Sequence, residues 1–384
     1  MALVGCEGDG STALTPVEEW TAQAEYEFGD QLEGDALFGF FLDVRVPADG
    51  SNVYVLDSEA SEVTIRNPGG AVIRRVGRAG EGPGEFSSPS RLVFFDDGFY
   101  VRDDRRITRF TRDGELTGTD AFPRGVDYRA LGVQYWAMFT DRSFLALASP
   151  HTLEMPGSQD PTEDLALLRV SEDRGSWTTE TLALSSFKDY FSSIPVDGDP
   201  FPVNQPWLAP DHFQEDPRNN SIVVSRTRTT LPGVVDLVEV STTGDTLWTR
   251  RIHLPPIPLS EDSIVAKVDE MAAVVVQAAA TGTGSPRLKS RIRDSWMIPE
   301  YWPAVRQIRL MSNGEIWFRP PGHDDRRIWY AVRKGEEDGA IRKVFAPESF
   351  VPHDVNDTHV WGVRRDEMDV GYVAGLRLER AARE

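Results

Sequence analysis

Residues 77–114 read GRAGEGPGEFSSPSRLVFFDDGFYVRDDRRITRFTRDG, and this stretch decides the fold. A Gly/Pro-rich loop leads into three short runs of β-branched and aromatic residues, closed in turn by Asp97-Gly98, Asp103-Asp104 and Asp113-Gly114. Such a unit is a small antiparallel sheet with one apolar face and no helix to cover it. It is stable only when stacked on copies of itself.

A copy lies directly upstream. From Phe40 the chain reads FFLDVRV, VYVLD, EVTIRN and AVIRRVG, separated by the turn segments PADGSN, SEAS and PGG. Val53-Tyr54-Val55-Leu56-Asp57 aligns with Phe99-Tyr100-Val101-Arg102-Asp103, Val63-Thr64-Ile65 with Ile107-Thr108-Arg109, and Gly70 with Gly114. Four strands in about 38 residues is the dimension of a β-propeller blade. Weaker copies follow over residues 134–184, 207–254, 305–346 and 350–378, with second strands near Leu145, Val223, Trp317 and Trp361. The expectation is an all-β fold, a six-bladed β-propeller of four-stranded antiparallel blades. The last copy is one strand short, and a radial array must close to avoid an exposed edge, so the isolated strand at residues 25–28 is expected to complete it. One helical insertion is expected within residues 259–300, its helix near 260–280. Ser260 reads as the N-cap, Glu261 and Asp262 fill the first turn, and Ile264, Val268, Met271 and Val275 share one face. With Trp296, Tyr301 and Trp302 this helix either covers one mouth of the central channel or packs at the side.

The chain has 384 residues, 40% of them hydrophobic, and a formal net charge of −20. Acidic residues are spread along its length. Phosphate backbones and anionic membrane surfaces require clustered Lys and Arg, so no nucleic-acid partner is expected. The basic runs at 102–112 and 287–293 sit among carboxylates or strand residues and read as solvated faces. A single cysteine excludes an internal disulfide framework, and no Cys/His spacing suits a structural zinc site. That cysteine, Cys6, ends Leu3-Val4-Gly5-Cys6, which resembles the lipobox of bacterial lipoproteins, and EGDGSTALTPVEE after it has the polarity of a tether. Residues 1–23 accordingly read as a lipobox remnant and tether, and residues 24–380 as the propeller. A charged segment and an apolar core belong before such a box, so lipidation of Cys6 requires a signal upstream of Met1. A chance LVGC is the plainer alternative; the agreement of box, position and polar linker favours the anchor. No run of about 18 apolar residues is present, and the membrane is expected to be met only through that lipid, on the periplasmic or extracellular side of a bacterial envelope.

GRAGEGPGEFSSPSRLVF followed by GFYVRDDRRITRF resembles the NHL-repeat type of six-bladed β-propeller, and the chain from about residue 24 to 380 is similar to the six-bladed propeller lipoproteins of bacteria. The G-x-G-P-G-E-F loop and the paired YV-x-D strands carry the likeness; the other copies are divergent. The resemblance implies a fold and an envelope location. It leaves the activity open, because propellers of this kind include binding scaffolds, lyases and lactonase-like hydrolases.

The chemistry must then be read from residues. Gly80, Gly82 and Gly84 form a crossover loop rather than a phosphate cradle, since the loop opens a strand and no helix N-terminus follows it. GxSxG, HExxH, P-loop and EF-hand patterns are absent. His353, Asp354 and His359 are the densest candidate metal ligands, set across a turn whose plainer reading is hairpin chemistry at Asn356-Asp357. His323-Asp324-Asp325 reads as a solvated turn. Propeller sites lie where the innermost strands converge, and the residues near their starts are Arg91, Gln134, Trp136, Trp207, Arg306 and His353. Arg91 and Arg306 with Trp136 and Trp207 suit a carboxylate, sulfate or sugar ligand, with Trp302 and the helix after Ser260 as a partial lid. The expected function is a non-catalytic, monomeric envelope scaffold that binds a protein, peptide or glycan without a cofactor. The alternative is a lactonase-like or other metal-assisted hydrolase holding Ca or Zn in the channel. The competing reading of each Arg is an interblade salt bridge, and of each Trp, packing.

Overall fold

The computed structural model describes residues 13–381 except 30–37, 40–41, 96, 125, 127–132, 149–164, 186–190, 197–198, 209–210, 229, 279–285 and 322–327. Cys6 and the His323-Asp324-Asp325 turn lie outside the described residues. Four antiparallel four-stranded sheets follow one another along the chain. The first comprises Leu42–Arg45, Val53–Asp57, Glu62–Arg66 and Val72–Val76, the second Arg91–Phe95, Gly98–Arg102, Arg106–Thr111 and Leu116–Ala121. The third comprises Val133–Met138, Phe144–Ala148, Leu165–Asp173 and Ser176–Ser185, the fourth His212–Asp216, Ser221–Arg228, Leu231–Ser241 and Thr246–His253. A last sheet has eight strands. Gln307–Leu310, Glu315–Arg319, Ile328–Arg333 and Ile341–Phe345 form one half, and Val351–Val355, His359–Arg365 and Gly371–Arg380 the other, with the N-terminal strand Val17–Phe28 between them. The molecule is all-β, with a propeller-like arrangement of sheets and two helices.

The aligned aspartates of the first two sheets do the same work. Asp57 ends its strand and accepts backbone N–H groups from Gly39, Glu59 and Ala60 at 2.8 to 3.0 Å. Asp103 accepts from Ser87, Ser88 and Asp104 at 2.7 to 2.8 Å. Each carboxylate therefore ties the loop before an innermost strand to the turn after the second strand. Burial favours the neutral acid at Asp103, but these donors outweigh it and hold the carboxyl below the ordinary range. The aligned glycines also match. Gly114 has φ +81° and a Cβ there would stand 2.4 Å from Val76 Cγ2 of the preceding sheet, so any other residue is both strained and blocked. Gly70, φ +90°, would meet Phe28 of the N-terminal strand at 2.8 Å in the same way.

Consecutive sheets are sealed by apolar cores. Tyr54, Phe94, Phe99 and Phe110 join the first to the second, with Tyr54 and Phe94 edge to face at 5.1 Å. Tyr100, Met138 and Phe144 join the second to the third, Leu145, Leu182 and Ile222 the third to the fourth, and Leu237, Trp248, Ile316 and Phe318 the fourth to the eight-stranded sheet. Trp317, Trp329, Val360 and Leu376 pack the two halves of that sheet on each other. Phe28, Val44, Val55, Trp361 and Val373 return the series to the first sheet. The end of the chain thus meets its beginning.

The N-terminal strand is longer than expected. It starts at Val17, inside the segment read as tether, and its residues 17–21 pair in parallel with Ile341–Phe345 before the strand pairs antiparallel with Gly371–Arg380. The helical insertion holds two helices, α1 (Glu261–Ala278) and α2 (Pro286–Ser295), where only the first was expected. Ser260 caps α1, its Oγ accepting from the Ser263 N–H at 3.2 Å. Ile264, Val268 and Val275 are buried as the periodicity requires, but against a hairpin of Phe191–Val196 and Asp199–Asn204 that the proline-rich sequence did not suggest. No described helix is long and apolar enough to cross a membrane.

Candidate functional site

The innermost strands carry polar residues at alternate positions of otherwise apolar runs. In Leu42–Arg45, Val44 is buried in the core while Asp43 and Arg45 turn the other way, and Arg309 and His353 occupy similar places in Gln307–Leu310 and Val351–Val355. These side chains meet across the middle of the ring. Arg91 of the second sheet reaches Glu215 Oε1 of the fourth at 2.8 Å and Gln214 Oε1 at 3.2 Å, passing over the third sheet. Arg45 lies 3.5 Å from Asp43 Oδ1 and donates to the carbonyls of Leu92, at 3.1 Å, and His353, at 3.5 Å. Contacts between sheets that are not neighbours require a common centre.

Most of the acidic groups there are occupied. Asp354 accepts from Val46 N–H, Val355 N–H, Ser312 N–H and Ser312 Oγ at 2.5 to 2.9 Å, and its burial raises its pKa in spite of Arg45 and those donors. Asp43 accepts from Leu92 N–H at 2.9 Å. Burial opposes its charge, but the Arg45 guanidinium beside it holds it well below the usual carboxylate range. His353 Nδ1 is 3.3 Å from both the Val44 N–H donor and Asp43 Oδ1. Burial, and then repulsion from Arg309, bring its pKa down to about 4, so the imidazole is neutral at pH 7.

The basic groups are in excess. Arg91 and Arg102 lie directly opposite on paired strands, and both guanidinium carbons sit over Trp136, 5.7 and 5.2 Å from its ring centroid. Arg309 is pushed down to about 10 by burial and by Arg45 and Arg91, with Asp43 opposing. A cavity of about 40 Å³, lined by Arg45, Arg91, Glu215, Arg218, Met311 and Ser312, opens beside this cluster. It has room for roughly three waters.

The residues singled out from sequence divide into separate places. Arg91 and Trp136 belong to the central cluster. Trp207 does not: it is fully buried against Trp296, edge to face at 5.3 Å, within the core of α1, α2 and the hairpin, and Trp302 packs on that same core. Arg306 is exposed and just precedes its strand. His353 and Asp354 reach the centre, whereas His359 turns to Glu25 of the N-terminal strand, 3.1 Å away. Among the described residues no group of three or more His, Cys, Asp or Glu is positioned to hold a metal ion. Asn356 Oδ1 accepts from the Thr358 and His359 N–H groups at 3.0 and 2.8 Å, the hairpin chemistry its sequence suggested. Asp43, Arg45, Arg102, Glu215 and Arg309 were missed. For Asp43, Arg45 and Arg309 the signal was a charged residue at alternate positions of an apolar strand; Arg102 ends a second strand and Glu215 lies in the polar run His212–Asp216, where no such pattern marks them.

No protein-family model and no curated protein matches the chain. Among solved structures it is similar to a member of the DUF4221 family from Bacteroides vulgatus, at 8% identity and a TM-score of 0.48 over 95% of this chain and 99% of that one. It is similar to a catalytically inactive virginiamycin B lyase from Staphylococcus aureus at 12% identity and a TM-score of 0.40, covering 93% and 99%. Regucalcin, a calcium-binding protein from Agrobacterium tumefaciens, is similar at 10% identity and a TM-score of 0.37, covering 96% and 98%.

Proposed function

We propose that this chain is a non-catalytic binding scaffold of the bacterial cell envelope, a six-bladed propeller held by lipid at Cys6, that recognises an acidic protein, peptide or glycan at the centre of its ring. The blade count treats the two halves of the eight-stranded sheet as separate blades, the second completed by Val17–Phe28. Phe28 under Gly70 supports this, because it stands where Val76 of the first sheet stands under Gly114. The envelope location rests on Leu3-Val4-Gly5-Cys6 and the polar linker.

The observation that carries the binding reading is the state of the central groups. Asp354 is filled by Ser312 and backbone donors, Glu215 is paired to Arg91, and neutral His353 takes the Val44 N–H, so acids and base are mutually restrained while guanidinium groups remain in excess. That inventory suits the capture of a negative group better than proton transfer. Calorimetric titration of the full chain with a panel of acidic peptides and acidic glycans, followed by mass spectrometry of the recovered ligand, tests it. Saturable binding with the ligand returned unchanged, with or without added Ca²⁺ or Zn²⁺, is expected. Metal-dependent cleavage of a panel member would overturn the non-catalytic reading.

A further inference from the structure

The central arginines can be matched against their acceptors one by one. Arg45 has Asp43 and Arg91 has Glu215. Among the described residues no carboxylate lies within ion-pair distance of Arg102 or Arg309, and the Nε–H groups of Arg91, Arg102 and Arg309 are all buried without an acceptor. In a chain of net charge −20 this is the reverse of what chance pairing would leave. A buried donor without a partner is destabilising, and more so when charged, so three around one centre, against a single unpartnered carboxylate oxygen, Glu215 Oε2, call for a further acceptor.

We propose that Arg91, Arg102 and Arg309 form a receptor for a single oxyanionic group, carboxylate or sulfate, carried by the ligand. Arg91 and Arg102 stand opposite each other on paired strands, a like-charged arrangement that destabilises a sheet unless something offsets it. Trp136 beneath both guanidinium groups holds them in place through its ring face. Arg309 approaches from the eight-stranded sheet, close enough for the charges of Asp43, Arg45 and Arg91 to act on it. All three residues are only partly buried, so their outer nitrogens remain within reach of a group entering from solvent. Among the described residues Glu215 pairs with Arg91 through Oε1 and its charge also acts on Arg102, while its Oε2 is buried without a hydrogen-bond partner. Guanidinium is suited to this task because it offers several donors in one plane and stays charged when desolvated.

The inference rests on the binding reading above, and its test separates the two. Thermal melting of the full chain is followed at constant ionic strength while chloride is replaced by acetate in one arm and sulfate in the other. The wild type is expected to gain a saturable rise on the order of a few degrees at millimolar anion. Arg309→Gln and Arg102→Gln are expected to lose that rise while melting no lower than wild type in chloride, since each removes an unanswered charge. A response to acetate alone assigns a carboxylate; a response to sulfate alone assigns a sulfate. Variants that respond like wild type, or that melt lower in chloride and keep a parallel response, would overturn the oxyanion site. If the saturable response is present and no panel peptide or glycan binds, the site stands and the scaffold reading falls. If a panel member binds wild type and Arg309→Gln equally and no anion response exists, the scaffold stands and this inference falls.

Discussion

Trp136 and Trp207 are the same residue type, each expected from sequence near the start of an innermost strand, yet one lies within Val133–Met138 and the other in the turn before His212–Asp216, and they have opposite surroundings. Trp207 is sealed in an apolar annex made by α1, α2 and the Phe191–Asn204 hairpin, with Trp296, Ile264 and Val268 around it. Trp136 lies under two guanidinium groups at the centre of the ring, with Phe213 at its edge. The annex is held by burial of apolar surface, which is insensitive to charge state. The centre is held by hydrogen bonds and ion pairs in a partly desolvated space, where each group depends on its neighbours' charges. A tryptophan near a strand start therefore carries no fixed role; the element that folds over it assigns one.

The largest effect is expected in the annex. Trp207→Ala removes a fully buried indole and should cost about 3–5 kcal/mol in denaturant unfolding, with the same cost at pH 7 and pH 5. The anion response of the centre should survive. Loss of that response with stability unchanged would mean that the two regions are one site.

The centre should instead reveal itself by pH. His353 titrates at about 4 in the folded chain against 6.5 ordinarily, so folding favours its neutral form. Its contribution to stability is complete above pH 6.5 and is lost as pH falls from 6.5 toward 4, because the unfolded chain binds the proton first. The loss amounts to at most about 3 kcal/mol. His353→Asn should flatten the difference in urea-unfolding stability between pH 7 and pH 4.5; a variant with the wild-type slope would remove His353 from the coupled cluster.

The smallest effect belongs to the rim, where similar partners meet in water. Glu25 is held at about 2 by hydrogen bonds from Arg377 and then His359. A depressed carboxyl stabilises above its ordinary value of 4.5 and loses that contribution as pH falls toward 2. Solvent screening keeps such a pair weak, so Glu25→Gln should lower the melting temperature only slightly at pH 7 and not at all near pH 2. A large drop would show that the N-terminal strand is pinned by this network more than by Ala22, Phe28 and their core neighbours.

Much of the architecture was legible because it is written in local chemistry. Asp57 and Asp103, Gly70 and Gly114 mark repeated turns, and those turns need a carboxylate acceptor or a positive φ wherever they occur. The second strands expected near Tyr54, Tyr100, Leu145, Val223, Trp317 and Trp361 all lie in second strands of the observed meanders, since a strand buried on both faces must be apolar throughout. Half of the annex was legible for the same reason: the α1 stripe at Ile264, Val268 and Val275 follows helical periodicity. The hairpin that receives it was not, because its prolines obscure a strand pattern and its stability comes from the helices above it. The site itself was decided only in three dimensions. Sequence determined that Asp43, Arg45, Arg91, Arg309 and His353 sit on short strands. It could not determine that strands from non-neighbouring sheets converge, because that follows from closure of the ring. Closure brings charges hundreds of residues apart to one centre, where each group responds to its neighbours' charges in a partly desolvated space.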